Sequence, residues 1–317
     1  MKIFRQQDYP ELRSVGRPMH VAIGMFDGVH LGHQAVILSA VRAAELDGGR
    51  SAVLTFDPHP SRIFRPERPT PQIYPRAVKE ELLREIGVDF CLEQRFDEAF
   101  AAQSASEFVN WLRRTIPRLA SVSVGENFRF GKGRGGSPAL LVEKLRGHGI
   151  SVFGCERVHL DGEPISSTRI RDLLPETPIE RVNPLFGRPY RSIGIVREGK
   201  KLGRTIGFPT LNVPFDAEIA PIRGVYLARY RTVGPNPAVP RGAVANFGLR
   251  PTVEETAVPL LEVHSLGECP ADYGDTVLVE WIRLLRGERK FAGIDELKAA
   301  IAADREEGLR WAESSRS

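Results

Sequence analysis

Apolar and polar positions change period midway along this chain. From His20 to about Val152, short apolar runs alternate with stretches of helical period, the pattern of crossover units around a parallel sheet. His20-Val21-Ala22-Ile23 predicts a first strand, Gly32 to Leu46 a first helix closed by Gly48-Gly49, and Ala52-Val53-Leu54-Thr55-Phe56 a second strand. Helix Val78 to Ile86 leads to strand Phe90-Cys91-Leu92. Helix Ala105 to Ile116 leads to Ser121-Val122-Ser123-Val124, and Pro138 to Arg146 gives a further helix. After Leu174 the prolines Pro175, Pro178, Pro184 and Pro189 cluster around a short helical piece, as in a linker. From Arg191 the pattern becomes short alternating strands: Ser192 to Val196, Val225 to Tyr230, Gly242 to Phe247, Leu260 to His264 and Thr276 to Arg283. Asp295 to Trp311 then predicts a terminal helix with Leu297, Ile301 and Leu309 as its packing side. The expected architecture is a doubly wound α/β domain followed by an antiparallel β-barrel with a C-terminal helix.

Composition narrows the function classes. A chain of 317 residues is long enough for two ordinary domains. No apolar run approaches membrane-spanning length, and the start, Met1-Lys2-Ile3-Phe4-Arg5, lacks an apolar signal core, so the expected location is cytoplasmic. Cys91, Cys155 and Cys269 have no spacing that suggests zinc, a redox pair or a disulfide framework. The net charge of +4 is spread over scattered residues and glycine-rich loops. It suits anionic small molecules, and the basic stripe with interleaved aromatics expected of a nucleic-acid surface is missing.

Chemistry concentrates after the predicted strands, where open parallel sheets bind their ligands. In Ile23-Gly24-Met25-Phe26-Asp27-Gly28-Val29-His30-Leu31-Gly32-His33 a strand meets a glycine-bracketed turn and a helix start, a natural anion site whose glycines let phosphate approach the backbone. His59 follows the second strand, and Gly125-Glu126-Asn127-Phe128-Arg129-Phe130-Gly131-Lys132 follows a later one. Ile165-Ser166-Ser167-Thr168-Arg169-Ile170-Arg171 brings three hydroxyls and two arginines to a helix start. It reads equally as a grip on triphosphate oxygens or as an ordinary cap with solvated arginines. Two motifs are discounted. Gly131 to Gly136 fits G-x-G-x-x-G but lies too far beyond its strand, and Gly125 to Lys132 misses a P-loop by one residue and by the hydroxyl that holds magnesium. A flexible basic lid fits this stretch better, with Arg134 to Ser137 open to reading as a plain surface loop.

The turn at residues 24–33, with Phe56-Asp57-Pro58-His59-Pro60, Gly125 to Gly131 and Ile165 to Arg171, resembles the adenylyltransferase module of bacterial bifunctional FAD synthetases. Lys201-Leu202-Gly203-Arg204-Thr205-Ile206-Gly207-Phe208-Pro209-Thr210-Leu211-Asn212, Gly224-Val225-Tyr226, Asn246 to Thr252 and Glu262-Val263-His264 independently resemble the riboflavin kinase module. The resemblance implies a Rossmann-like nucleotidyltransferase domain over 1–183 and a six-stranded riboflavin kinase barrel over 184–317. It implies ATP-dependent phosphorylation of riboflavin to FMN, and adenylylation of FMN to FAD. Magnesium, ATP and the flavins are the implied ligands, with no nucleic acid or membrane partner and a monomer or weak homo-oligomer.

The same resemblance assigns roles. His30, His33 and Asn127 belong beside the reacting phosphates and His59 on the FMN side. Gly24, Phe26, Gly28, Gly32, Ser166, Ser167, Thr168, Arg169 and Arg171 belong on ATP, with Gly203 and Gly207 on the ATP of the kinase reaction. Thr210 and Asn212 would hold magnesium. Glu262 would be the base that a neutral ribityl hydroxyl requires, although strand periodicity alone would place it outward. Met25 and the stretch Ser265 to Gly274 depart from the family pattern, the second putting the flavin lid in question. Two other readings stand beside this one: transfer to another phosphate monoester, and a flavin-binding regulatory protein with a decayed kinase site.

Overall fold

The computed structural model describes residues 1–199, 208–234, 238–250 and 258–314. The chain forms two compact units, one of residues 1–71 and 79–167, the other of residues 72–78 and 168–317.

The first unit holds a parallel sheet of β1 (Lys2–Arg5), β2 (Met19–Ile23), β3 (Arg50–Asp57), β4 (Phe90–Arg95), β5 (Leu119–Gly125) and β6 (Ser151–Cys155), in the order β1-β4-β3-β2-β5-β6. Both faces are covered. Met19, Val21, Ile23, Leu54, Val122 and Val124 pack with Phe108, Val109 and Leu112 of helix Ala105–Thr115 and with Leu141 and Leu145 of helix Pro138–Arg146. Helix Leu31–Asp47 lies against β2, β3 and β5 on the opposite side, where Ser123 donates to Ser39 at 3.0 Å. Burial on both faces is why β2 is buried at every position. The chain leaves β2 for β3 on one side, and β5 sits on the other. The carboxyl ends of β2 and β5 therefore flank a topological switch point.

β1 and the 3-10 segment Gln6–Ser14 were not legible in the sequence. They extend the sheet edge, with β1 in parallel register on β4 and Leu12 fully buried. His20 is structural: Nδ1 meets Ser121 Oγ at 2.8 Å and Nε2 meets Asp47 at 2.9 Å, tying β2, β5 and the first helix together. A two-stranded hairpin, β7 (His159–Leu160) and β8 (Glu163–Pro164), precedes the Ile165 to Arg171 run.

The second unit is a six-stranded antiparallel barrel of β9 (Tyr190–Ile195), β10 (Leu211–Pro214), β11 (Gly224–Thr232), β12 (Arg241–Arg250), β13 (Val258–Ser265) and β14 (Thr276–Gly287). Its order is β10-β13-β12-β11-β14-β9, and the bridge from Arg197 to Asn212 brings the ends together. Trp281 fills the interior against Tyr226, Phe247, Phe215 and Tyr190.

Packing adds to the sequence expectations here. The proline-flanked piece is no loose linker: helix Ile179–Phe186 buries Ile179, Val182, Leu185 and Phe186 and packs on β14. By packing, the two units part at 167/168. The strap at residues 72–78 also joins the second unit, with Tyr74 stacked on Tyr190 at 5.0 Å and the Tyr190 hydroxyl donating to the Ile73 carbonyl at 3.2 Å. The terminal helix, Ile294–Ser314, buries Ala300, Asp304 and Gly308, while Leu297, Ile301 and Leu309 are half-buried, the first two lining a cavity beside the barrel strands. Gly308 sets the closest approach, because a Cβ there would lie 2.9 Å from Val244 Cγ2 on β12.

Candidate active sites

In the first unit the 24–33 turn is built by backbone conformation. Phe26, Gly28 and Val29 take positive φ values of 50°, 86° and 41°. For a β-branched residue this costs about 1–3 kcal/mol and persists only where surroundings enforce it. Val29 is fully buried, the Gln34 side chain donates to its carbonyl at 2.9 Å, and Thr55 Oγ1 donates to the Met25 carbonyl at 3.1 Å. Met25 thus serves the turn through its backbone, so its departure from the family pattern leaves the fold of the turn intact.

His30 is the N-cap of helix Leu31–Asp47. Its Nδ1 accepts from the His33 backbone N–H at 3.3 Å, so the neutral ring carries its proton on Nε2. The two imidazoles stack at 3.7 Å and 19°, and Phe26 meets His33 edge-on at 5.5 Å. Gly32, expected on the phosphates, also makes room for a side chain by lacking a Cβ, which would lie 3.2 Å from His30 Cε1. Gly24 does the same for the Phe26 ring, at 3.0 Å. Ser167 Oγ donates to the Asp27 carbonyl at 2.8 Å, which seats Ser166 and Ser167 against the turn. Thr168, Arg169 and Arg171 continue on helix Ser167–Leu173, where the second unit begins.

His59 follows β3, the neighbour of β2. Its Nδ1 accepts from the Ser61 backbone N–H at 3.1 Å, leaving the proton of the neutral ring on Nε2. Asn127 follows β5, exposed beside Glu126, which pairs with Arg157 at 3.4 Å. The expected lid is pinned rather than flexible. Phe130 is buried against Phe108, Phe130 and Gly136 form a bridge, Lys132 N–H donates to the Gln103 carbonyl at 2.7 Å, and Gly131 leaves no room for a Cβ beside Ala105.

In the second unit one row of directly opposed residues crosses five strands: Asn212, Glu262, Asn246, Val225 and Arg286. Opposed residues share a sheet face, and this one is the outer face, away from Trp281. Glu262 does point outward, as periodicity suggested, but into a cavity of about 650 Å³ between the strands and the terminal helix. That volume suits a ligand of flavin size. Asn246 Nδ2 donates to Glu262 Oε2 at 3.3 Å and orients the carboxylate. Arg286 donates through Nε and Nη2 to Asp304 at 2.8 to 3.2 Å, holding the helix over the cavity. Arg289 lies over the Phe291 ring at 4.8 Å along the rim.

Thr210 lines the cavity and Asn212, almost fully buried, lies opposite Glu262. Two neutral oxygen donors on one edge suit a hard cation that completes its shell with phosphate oxygens and water. Among the described residues no group of three or more His, Cys, Asp and Glu is arranged to hold a metal. Gly203 and Gly207 lie outside the described residues. Sequence reasoning missed Asn246 as the partner of Glu262, which only the β12–β13 register reveals, and it missed the Arg286–Asp304 clamp and the 288–291 rim, which depend on where the terminal helix returns. None of residues 265–274 lines the cavity. That segment is tied elsewhere, by Leu266 N–H to the Gly242 carbonyl and Gly274 N–H to the Val196 carbonyl, both at 3.0 Å.

A capped phosphate-type turn at a parallel-sheet switch point, joined to a barrel whose outer cavity holds an oriented carboxylate, is the build of a nucleotidyltransferase fused to a kinase. The FAD synthetase family matches residues 13–169 and the riboflavin kinase family residues 186–312. The bifunctional riboflavin kinase/FMN adenylyltransferase of Escherichia coli K12 is 37% identical over 284 residues, covering 90% of each chain. Those of Bacillus subtilis and Pseudomonas fluorescens are 37% and 36% identical, each covering 92% of the relative. A crystal structure described as a macrolide-efflux protein from Streptococcus pneumoniae superposes with a TM-score of 0.81 at 27% identity over 98% of this chain and 100% of that one. This chain belongs to the bifunctional riboflavin kinase/FMN adenylyltransferase family.

Proposed function

We propose that the chain makes FAD from riboflavin in two ATP-dependent steps at two separate sites, and the observation that carries this is the contrast in their chemistry. In the barrel, Glu262 takes the proton of the terminal ribityl hydroxyl as that oxygen bonds to the γ-phosphorus of ATP and ADP leaves, giving FMN. A positioned base of this kind contributes about 10² to 10⁴ in rate. Asn246 holds the carboxylate in place. Thr210 and Asn212 are the residues that would hold magnesium, which when bound supplies neutralisation of charge on the transferred group.

In the α/β unit the acceptor is the FMN phosphate, already ionised, so no base is needed. Its oxygen bonds to the α-phosphorus of a second ATP while the bond to pyrophosphate breaks. Stabilisation of developing charge is what the site has to provide. His30 presents Nε2–H with its ring fixed by the cap bond and by stacking on His33. Asn127 joins them at the phosphates, and Gly24, Phe26, Gly28 and Gly32 form the turn that takes the ATP phosphates. Ser166, Ser167, Thr168, Arg169 and Arg171 grip the ATP oxygens, with Gly203 and Gly207 serving the kinase ATP. His59 faces the flavin.

We place these reactions in the cytoplasm, on a monomer or weak homo-oligomer that takes no nucleic acid, with the adenylyltransferase over 1–183 and the kinase over 184–317. Among the described residues no helix is long and apolar enough to cross a membrane. Incubating the protein with riboflavin and MgATP and separating the products by chromatography tests the proposal. FMN followed by FAD is expected; conversion of supplied FMN but not of riboflavin would overturn the kinase assignment.

A further inference from the structure

His264 lies two residues beyond Glu262 on β13, so both side chains stand on the same face, about 6.7 Å apart along the strand. Both line the cavity. His264 Nδ1 is 2.8 Å from the Pro209 carbonyl oxygen, and because a carbonyl only accepts, Nδ1 carries the proton. The neutral ring therefore presents a bare Nε2. Phe208 meets the ring edge-on at 5.6 Å and 69°, which fixes its plane. Nε2 is buried and has no hydrogen-bond partner among the described residues, a costly state for an acceptor unless a ligand supplies a donor.

The neighbours narrow that donor. Asn246 already donates to Glu262, and Arg286 is committed to Asp304. Phosphate oxygens only accept and would repel a bare nitrogen lone pair. The donors that travel with a hydroxyl bound at Glu262 are the other hydroxyls of the same carbon chain. We propose that His264 is the specificity contact for the acceptor's polyol chain: Nε2 accepts a hydrogen bond from an inner ribityl hydroxyl and so sets which hydroxyl reaches Glu262. This rests on the reading of the barrel as a riboflavin kinase.

The test uses the full chain with MgATP and two flavins, riboflavin and a 10-(5-hydroxypentyl) isoalloxazine that keeps the terminal hydroxyl and lacks the inner ones. His264→Phe keeps an aromatic ring beside Phe208 and removes the acceptor. It lowers kcat/KM for riboflavin about tenfold to a hundredfold and leaves the hydroxypentyl flavin within about threefold, collapsing the preference. His264→Gln, whose side-chain oxygen accepts, restores part of the preference. Equal loss with both flavins, or an unchanged preference, would overturn the proposal. Should His264→Phe fail to fold, wild-type protein labelled with ¹⁵N-histidine decides. A bare Nε2 whose resonance moves on adding riboflavin but not the hydroxypentyl flavin supports the contact, and a protonated or unresponsive Nε2 overturns it. Wild-type protein that converts FMN to FAD yet phosphorylates neither flavin would overturn the kinase reading itself.

Discussion

The two sites move phosphorus between the same kinds of molecule and are built on opposite principles. The α/β site gathers backbone conformation, stacked imidazoles and a helix start, and the proposed transfer to an ionised phosphate asks no proton abstraction of it. The barrel site places one carboxylate, oriented by one amide, in the middle of a five-strand row. The difference follows the acceptor. An ionised phosphate needs alignment and charge stabilisation, whereas a neutral hydroxyl needs in addition somewhere for its proton to go.

That contrast predicts separable losses. The largest is Glu262→Gln, expected to lower riboflavin phosphorylation by about 10² to 10⁴ in kcat. His30→Ala removes the proposed phosphate donor and the helix cap. FAD formation from FMN should fall by about 10² to 10³, with a cap loss of about 1 kcal/mol seen as a lower Tm. Asn246→Ala leaves Glu262 without its amide donor, and initial-rate assays should show riboflavin phosphorylation down about tenfold to a hundredfold while FAD formation from FMN holds. Gly32→Ala sharpens the α/β half: a methyl group 3.2 Å from His30 Cε1 displaces the imidazole, and adenylylation should drop about tenfold with phosphorylation intact. A Gly32→Ala enzyme with full adenylylation would show that ring placement is not critical. The smallest catalytic effect is expected from Asp304→Asn. Loss of its charge leaves Arg286 half-paired, so denaturant unfolding should show about 3 kcal/mol of destabilisation, together with a raised KM for riboflavin.

The parallel sheet and the barrel strands were legible because their periods differ, and the turn histidines because glycines bracket them. What the sequence hid is what depends on register or on contacts distant in the chain. Asn246 and Glu262 are 16 residues apart and become neighbours only through the β12–β13 ladder. The terminal helix is apolar at Leu297, Ile301 and Leu309, the first two of which line the cavity, but nothing in that pattern announces Ala300 and Gly308 as its closest approach to the barrel. The strap at residues 72–78 carries no pattern that announces Tyr74 stacking on Tyr190.

Two independent sites on one chain is the central claim, and a crossed assay tests it most directly. Glu262→Gln and His30→Ala proteins are each given riboflavin, and separately FMN, with MgATP, and FMN and FAD are quantified by chromatography. The account predicts that Glu262→Gln makes FAD from FMN at the wild-type rate but little FMN from riboflavin, and that His30→Ala accumulates FMN. Equal loss of both conversions in either variant would contradict it.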